Sequence, residues 1–238
     1  MNKTIMLSHN KVHLWISSGI FGNLLDQTGN PKPLITYIKQ IERYALLREK
    51  ATMHITKNEK IAAEEYRNTY GWMGEVLCEF WLKRFGHLYD IERIVDTSAN
   101  EFQRGYDFTA QSIFEALPAL IQVKMTVDGY HQFQQEKLHT FFDEVATARV
   151  LPQYTFLMCP TNVLSDDTVL SYKKDFRLDY TDQIHFIGQD KMRERIQGLP
   201  KRSETPFLNG NHEFFTLFAD ACASAVALQS ALSSKGIK

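Results

Sequence analysis

Three side chains near the middle of the chain have the types and the spacing that metal-assisted hydrolysis requires. Asp107 lies in a segment where polar and apolar residues alternate, and Gln122 and Lys124 lie two positions apart in a second such segment. Because side chains at positions i and i+2 of a strand share a face, we expect Gln122 and Lys124 on one side of a sheet. Pairing the two strands would bring a carboxylate, an amide and an ammonium group together.

These groups suit the hydrolysis of a phosphodiester bond. That reaction needs a divalent cation to neutralise charge in the transition state and a water molecule aligned with the leaving oxygen. Mg²⁺ is held by one or two carboxylates supplemented by neutral oxygens, so Asp107, the side-chain oxygen of Gln122 and the carbonyl of Val123 form a candidate ligand set. Lys124 would orient or help deprotonate the water and stabilise the developing charge.

Each of these residues also has a purely structural interpretation. A Lys on an alternating strand is common, and Asp107 follows Gly105 closely enough to be a turn residue. Glu75 and Glu79 lie four positions apart, as on a solvated helix face. A helical Glu, a strand Asp and a strand Gln-x-Lys follow one another in this order. Together they support the chemical interpretation more strongly than any one of them does alone.

The stretch from Thr69 to Gly198 resembles the PD-(D/E)XK nuclease superfamily, whose motif is an acid on one strand and acid-x-Lys on the next. The matching residues are Asp107 and, fifteen positions later (122 − 107 = 15), Gln122-Val123-Lys124. Gln in place of the second acid departs from the commonest pattern. It is similar to the variant of Mrr-like restriction endonucleases and of the end-cleaving subunit of a family of transposases.

The resemblance implies further site residues and a fold. In that variant a Glu on the preceding helix also reaches the metal, and Glu75 is the matching residue, with Glu79 as the reserve ligand. The implied fold is α/β (α+β) with a restriction-endonuclease-like core, in which helices flank a central mixed sheet. Its order is a helix, a three-stranded meander, a helix and a further strand, and that last strand would lie parallel to a central one.

The resemblance also implies an activity, which is Mg²⁺-dependent hydrolysis of double-stranded DNA, with Mn²⁺ able to replace Mg²⁺. A restriction-type endonuclease is the first hypothesis. Cleavage of junctions or of transposon ends is compatible with the same motif, because the motif specifies the hydrolysis and not the shape of the substrate. A noncatalytic DNA-binding or scaffold protein that keeps the fold is the rival, and Gln122 is its best support.

Element signals divide the chain into three parts. Residues 1–56 are expected to form a mainly helical extension, residues 57–200 the nuclease core, and residues 201–238 a C-terminal helix packed on the core or at a dimer interface. Thr56 and Glu59 have the form of a capping box at the start of a helix. That helix is expected to break or kink near Gly71, and a second helix then turns an apolar face to the core through Val76, Leu77, Phe80 and Trp81.

The rest of the core reads as strands alternating with helices. Strands are predicted over 88–95, 106–110, 121–127, 154–159 and 184–188. Amphipathic helices are predicted from Phe133 to Val145, after a turn at Asp128-Gly129, from Ser165, and over 190–197. The segment from His212 onward is a helix with a broad apolar surface, so part of it is available for a subunit interface. We therefore expect a homodimer, the commonest oligomer.

Composition and motif searches limit the function classes. The chain has 238 residues and a formal net charge of −1, which counts mildly against a nonspecific DNA coat protein but allows a locally basic cleft. Walker-type loops, dinucleotide glycine fingerprints, GxSxG elbows and HExxH pairs are all missing from the sequence.

The three cysteines are odd in number and widely spaced, which is typical of buried thiols in a reducing compartment. With neither a signal peptide nor a membrane span, we expect a cytoplasmic protein.

A few basic residues are candidates for contacts to DNA phosphates. Arg104 lies three residues before Asp107, and the segment around 190–202 is the most basic of the chain. Its candidates are Lys191, Arg193 and Arg195, which would position DNA without reading its sequence. An ordinary charged helix surface explains the same residues equally well.

Overall fold

The computed structural model of the chain describes residues 5–8, 12, 57–97, 105–114, 118–125, 135–147, 150, 152–160, 164, 166–175, 184–197 and 212–235. The chain divides into two compact units, one formed by Met1–Val76 with Ile196–Lys238 and the other by Leu77–Arg195. The predicted extension 1–56 lies almost entirely outside the described residues. Its helical character and the boundaries of the 57–200 and 201–238 segments therefore stay predictions.

Ten helices and strands are described. In chain order they are α1 (Lys57–Phe85), β1 (Ile91–Asp96), β2 (Phe108–Ser112), β3 (Pro118–Val123), α2 (Gln135–Thr147), β4 (Thr155–Cys159), α3 (Asp166–Asp175), β5 (His185–Gly188), α4 (Gln189–Gln197) and α5 (His212–Ser234). Single 3-10 turns over Gly86–Tyr89 and Pro152–Tyr154 lead into β1 and β4. Among these helices none has the length and apolar character needed to cross a bilayer.

The second unit contains a five-stranded mixed sheet in the order β1-β2-β3-β4-β5. β1, β2 and β3 pair antiparallel, whereas β4 is parallel to β3 and β5 is parallel to β4. The connection between β3 and β4 contains α2, as a crossover between parallel strands requires. The predicted α+β class, the mixed sheet and the parallel strand after the crossover helix are confirmed.

Helix α1 corrects one prediction. It runs without interruption over 29 residues, so the expected break near Gly71 and the separate second helix are wrong. A glycine weakens a helix without forbidding it, and the buried Val76, Phe80 and Trp81 supply the tertiary packing that keeps α1 continuous. The start at Lys57 agrees with the predicted capping box, although Thr56 itself lies outside the described residues.

Each of the five predicted strands is present among the described residues, but their ends differ. β1 begins at Ile91 instead of residue 88 because Gly86–Tyr89 forms a 3-10 turn that Asp90 closes in the left-handed conformation, with φ of 57°. β3 ends at Val123, and Lys124 follows it immediately. The turn predicted at Asp128-Gly129 lies outside the described residues.

Aromatic rings pack against one face of the sheet. Strand register places Ile121, Phe156 and His185 side by side on that face. The ring of Tyr89 contacts those of Phe156 and His185 at centroid distances of 5.9 and 5.0 Å. Trp81 of α1 contacts Tyr89 at 5.9 Å, so the C-terminal part of α1 covers this face.

The remaining helices show the expected apolar stripes. In α2, Leu138, Phe141 and Phe142 are buried. In α5, which belongs to the first unit, Phe218, Ala221, Cys222 and Ala225 are buried at helical spacing, while Leu228 is exposed. Cys78, Cys159 and Cys222 are buried and form no disulfide, which confirms their predicted burial.

Gly105 lies against the backbone of α2. A Cβ atom at this position would be 2.5 Å from the Phe141 amide nitrogen and 2.6 Å from the Thr140 carbonyl carbon. These are backbone atoms of a helix, so they cannot move aside to make room for the Cβ, whereas the end of a flexible side chain could. Gly105 therefore allows the segment entering β2, including Asp107, to approach α2 closely.

We predict that Gly105→Ala lowers the free energy of unfolding by about 1–3 kcal/mol, the usual cost of overpacking. Gly71→Ala is the matched control, because among the described atoms its Cβ would meet Glu75 Oε1, at the ordinary contact distance of 3.9 Å. In the interior of a helix that substitution should be neutral or stabilise by up to about 1 kcal/mol. Thermal unfolding of both variants checks the pair, and equal midpoints would contradict the close approach.

His185 is held in the same aromatic cluster. Its ring stacks on Phe156 at a centroid distance of 4.7 Å and an interplanar angle of 22°. Burial lowers the pKa of His185 below its ordinary value of 6.5, and the nearby Lys191 ammonium lowers it further, against a hydrogen bond to the Gln153 backbone that raises it. The folded protein therefore favours the neutral imidazole.

This pKa shift predicts a loss of stability in mild acid. Below about pH 6.5 the unfolded chain binds a proton that folded His185 excludes, so the free energy of unfolding should fall as the pH drops toward the folded-state pKa. His185→Phe should flatten that fall, whereas His139→Gln, at an exposed position, should not. Urea unfolding at several pH values measures this, and an unchanged slope in His185→Phe would refute the assignment.

Candidate active site

The candidate site lies on the sheet face opposite the aromatic cluster. Phe108 pairs with Ile121 and Thr109 with Leu120, so the alternation of β2 and β3 puts Asp107 and Gln122 on the second face. Lys124 continues the same alternation, and its amide donates to the Met158 carbonyl at 2.9 Å. The predicted grouping of Asp107, Gln122 and Lys124 on one face is therefore present in the structure.

The backbone of Asp107 is fixed from two sides. Its amide donates to the Ile121 carbonyl at 2.9 Å, which extends the ladder between β2 and β3 by one residue. Its carbonyl accepts the Thr97 amide at 3.2 Å and the Thr97 hydroxyl at 3.0 Å. Thr97, which follows β1, is a supporting residue that the sequence pattern does not reveal, because its partners are distant in the chain.

Hydrogen bonds join the Asp107 carboxylate to β3. Its Oδ2 atom accepts the backbone amide of Val123 at 2.7 Å and also accepts the Gln122 side-chain amide. The same Gln122 nitrogen, Nε2, donates to the Val123 carbonyl at 3.0 Å. Gln122 is 3% exposed. A single buried NH₂ group thus lies between a carboxylate oxygen and a backbone carbonyl oxygen.

This arrangement fits a hard divalent cation. Asp107 Oδ2 and the Val123 carbonyl oxygen converge on one point. The NH₂ group of Gln122 lies at that point and carries partial positive charge. Carboxylate, carbonyl and amide oxygens are the ligands that Mg²⁺ takes in proteins. Turning the Gln122 carboxamide by half a revolution would direct its oxygen, in place of its nitrogen, toward the same point. The donor set is therefore compatible with the predicted ion.

The site has few acids. Among the residues that the structure describes, His, Cys, Asp and Glu side chains nowhere form a group of three or more that could hold a metal. A cation bound by Asp107 would consequently depend on neutral oxygens and water for its remaining ligands, which is usual for Mg²⁺.

Lys124 is a basic residue of this face, close in sequence to Gln122. It is half-buried immediately after β3, and its positive charge acts on the thiol of Cys159 in the neighbouring strand. Burial raises the pKa of Cys159 far above its ordinary range, and the Lys124 charge opposes that rise only in part. Cys159 therefore stays a neutral thiol, and Lys124 is the charged member of this pair.

The two helical acids differ in their surroundings. Glu79 is fully buried and accepts a hydrogen bond from Lys83 Nζ at 2.6 Å, so the solvated-face interpretation is wrong for it. Glu75 lies one turn earlier on α1, is half-buried, and belongs to the first compact unit. The metal-binding role predicted for Glu75 stays a prediction.

The predicted phosphate-contacting residues are only partly described. Lys191 is exposed on α4, but its ammonium donates to the Phe186 carbonyl at 2.9 Å. Arg195 is exposed one turn later. Arg104 and the side chain of Arg193 lie outside the described residues.

Comparison with protein-family models, with curated proteins and with solved structures yields no match to this chain.

The contact between Gln122 and Asp107 can be tested by placing a negative charge at position 122. Gln122→Glu would place a second carboxylate against Asp107 Oδ2, so like-charge repulsion should lower the thermal unfolding midpoint in EDTA. Saturating Mg²⁺ should then restore it and raise the midpoint of Gln122→Glu more than that of wild type. Gln122→Leu is the control that removes the donor without adding charge. Equal responses of Gln122→Glu and Gln122→Leu to Mg²⁺ would contradict the cation site.

Proposed function

We propose that this chain is a Mg²⁺-dependent endodeoxyribonuclease of restriction type, with a PD-(D/E)XK core. The observation that carries the proposal is the convergence of the Asp107 carboxylate and the Val123 carbonyl on the Gln122 amide, on the sheet face that also bears Lys124. An acid, a neutral ligand and an ammonium group in this arrangement are what the hydrolysis of a phosphodiester needs.

The sheet supplies independent support. A helix, three antiparallel strands, a helix and a strand parallel to the third occur in the order that the resemblance implies. The motif acid stands at the start of the second strand, and Gln-x-Lys stands at the end of the third. Motif and topology are separate properties of the chain, so their agreement strengthens the proposal.

Each site residue has a distinct role in the proposed reaction. Asp107 and the Val123 carbonyl would hold the ion, joined by the Gln122 oxygen after the carboxamide turns. The role of Glu75 as a further ligand rests on the resemblance alone. The ion, Mg²⁺ or Mn²⁺, supplies neutralisation of phosphate charge and acidification of a bound water. Lys124 would orient the attacking water, assist its deprotonation and stabilise the charge that develops on the phosphate.

One observation favours a second candidate, a noncatalytic DNA-binding or scaffold protein. Asp107 Oδ2, the Val123 amide and the Val123 carbonyl all have partners within the protein, so these groups need no ion to be satisfied. Titration with Mn²⁺ in a calorimeter separates the two candidates. The nuclease binds Mn²⁺ in a manner that depends on Asp107, whereas the scaffold binds none.

We predict that Lys124→Ala abolishes Mg²⁺-dependent cleavage of duplex DNA, with a loss of about 10²-fold or more, the usual effect of removing one transition-state contact. Asp107→Asn should have the same effect, because it removes the charged ligand and keeps the side-chain shape. Methylated and unmethylated plasmid and phage DNA are the substrates, with Mg²⁺ or EDTA.

Lys174→Ala is the control for cleavage, since Lys174 is exposed on α3, away from the motif strands in sequence. Circular dichroism establishes that each variant is folded. Discrete fragments that require Mg²⁺, Asp107 and Lys124 together are the expected result. Cleavage that survives Lys124→Ala or Asp107→Asn in a folded protein would remove the assignment.

A further inference from the structure

The edge strand β1 contains an irregularity near the candidate site. Its register with β2 shifts between Glu92 and Val95, which identifies a β-bulge. Within the bulge Arg93 has φ of 50°, in the left-handed region. Among the described residues other than glycine, Asp90 is the other residue with positive φ, and its conformation closes a 3-10 turn. Arg93 closes no such turn.

The bulge directs the Arg93 side chain over the face that carries the site. Its Nη1 atom donates to Gln111 Oε1 at 3.1 Å. Gln111 shares the alternation of Asp107 and Thr109 along β2, so the guanidinium lies on the same face as these residues. The Arg93 side chain is 72% exposed, and its Nε atom forms an ion pair with Glu92 Oε1 at 3.6 Å. Both side chains of this pair are exposed, so the guanidinium is accessible from solvent.

Arginine is not a residue type that the left-handed backbone conformation at position 93 favours. Glycine and asparagine adopt the left-handed region at lower cost, because a Cβ crowds the backbone and only short polar side chains compensate. β-Bulges occur next to active sites, where they redirect a side chain, and strained residues cluster at such sites. An exposed Arg in a strained bulge, with a hydrogen bond to Gln111 and an exposed ion pair to Glu92, is therefore a candidate for a contact outside the folded chain.

The spacing along β2 fits a nucleic-acid strand. Gln111 lies four residues from Asp107, which is about 13 Å at the rise of an antiparallel strand. That distance is about four base-pair steps of ~3.4 Å, measured along the axis of a DNA duplex. A planar guanidinium with several N–H donors binds phosphate oxygens in pairs, and Gln111 occupies one of its donors.

We propose that Arg93 binds a backbone phosphate of the DNA substrate, a few nucleotides from the phosphodiester that is hydrolysed. The inference rests on the proposed function and adds a substrate-positioning residue to it. The bulge in β1 is then the device that places this contact on the catalytic face.

The test measures binding of a fluorescein-labelled random-sequence duplex in EDTA over a range of salt concentrations. Arg93→Asn should weaken binding and reduce the slope of log K against log salt by about 0.9, the value for one lost phosphate contact. Because Asn tolerates the left-handed conformation, the thermal unfolding midpoint should stay equal or rise. Arg93→Lys should keep the slope, and Lys174→Gln is the control for removal of an exposed charge.

Two results would overturn the proposal separately from the nuclease assignment. An unchanged salt slope in Arg93→Asn would show that Arg93 makes no phosphate contact, even while wild type cleaves DNA. A lower unfolding midpoint in both Arg93→Asn and Arg93→Lys would assign the residue a structural role. Wild-type protein that neither binds nor cleaves duplex DNA would overturn this proposal and the proposed function together.

Discussion

The hydrogen bond from the Val123 amide to the Asp107 carboxylate is the constraint on which the candidate site depends. It joins the start of β2 to the end of β3 at 2.7 Å, where an ordinary ladder would join backbone to backbone. A charged acceptor makes such a bond worth about 1.5–3 kcal/mol. With Oδ2 held there, the Gln122 amide contacts both Oδ2 and the Val123 carbonyl, and this is the point at which we propose that a cation binds.

The surrounding fold holds that acid in position. Thr97 donates to the Asp107 carbonyl through both its amide and its hydroxyl. Gly105, two residues before Asp107, lies against the backbone of α2. The parallel strand β4 continues the ladder at Lys124 through the Met158 carbonyl. On the opposite face the rings around Tyr89 fill the core. Both faces of the sheet therefore contribute to packing, since Leu120, Leu157 and Phe186 are buried on the site face, and the polar side chains of the site lie beside them.

Patterns of local origin could be predicted from the sequence, and tertiary contacts could not. Alternation in β2 and β3 was sufficient to place Asp107, Gln122 and Lys124 on one face, and the order of strands and helices indicated a mixed sheet. The continuous α1 was missed because tertiary burial of Phe80 and Trp81 outweighs the helix-breaking tendency of Gly71. Thr97, Gly105 and the Arg93 bulge depend on neighbours remote in sequence, and Gln122 was expected to present its oxygen, not its nitrogen.

We propose that Asp107 and the Val123 carbonyl form a divalent cation site. Anomalous diffraction from crystals soaked in Mn²⁺ would locate such an ion. We predict a peak within bonding distance of Asp107 Oδ2 and of the Val123 carbonyl oxygen, with the Gln122 oxygen turned toward it, and loss of that peak in Asp107→Asn. A well-ordered site with the Gln122 nitrogen still between the two oxygens and no anomalous peak at saturating Mn²⁺ would contradict the account.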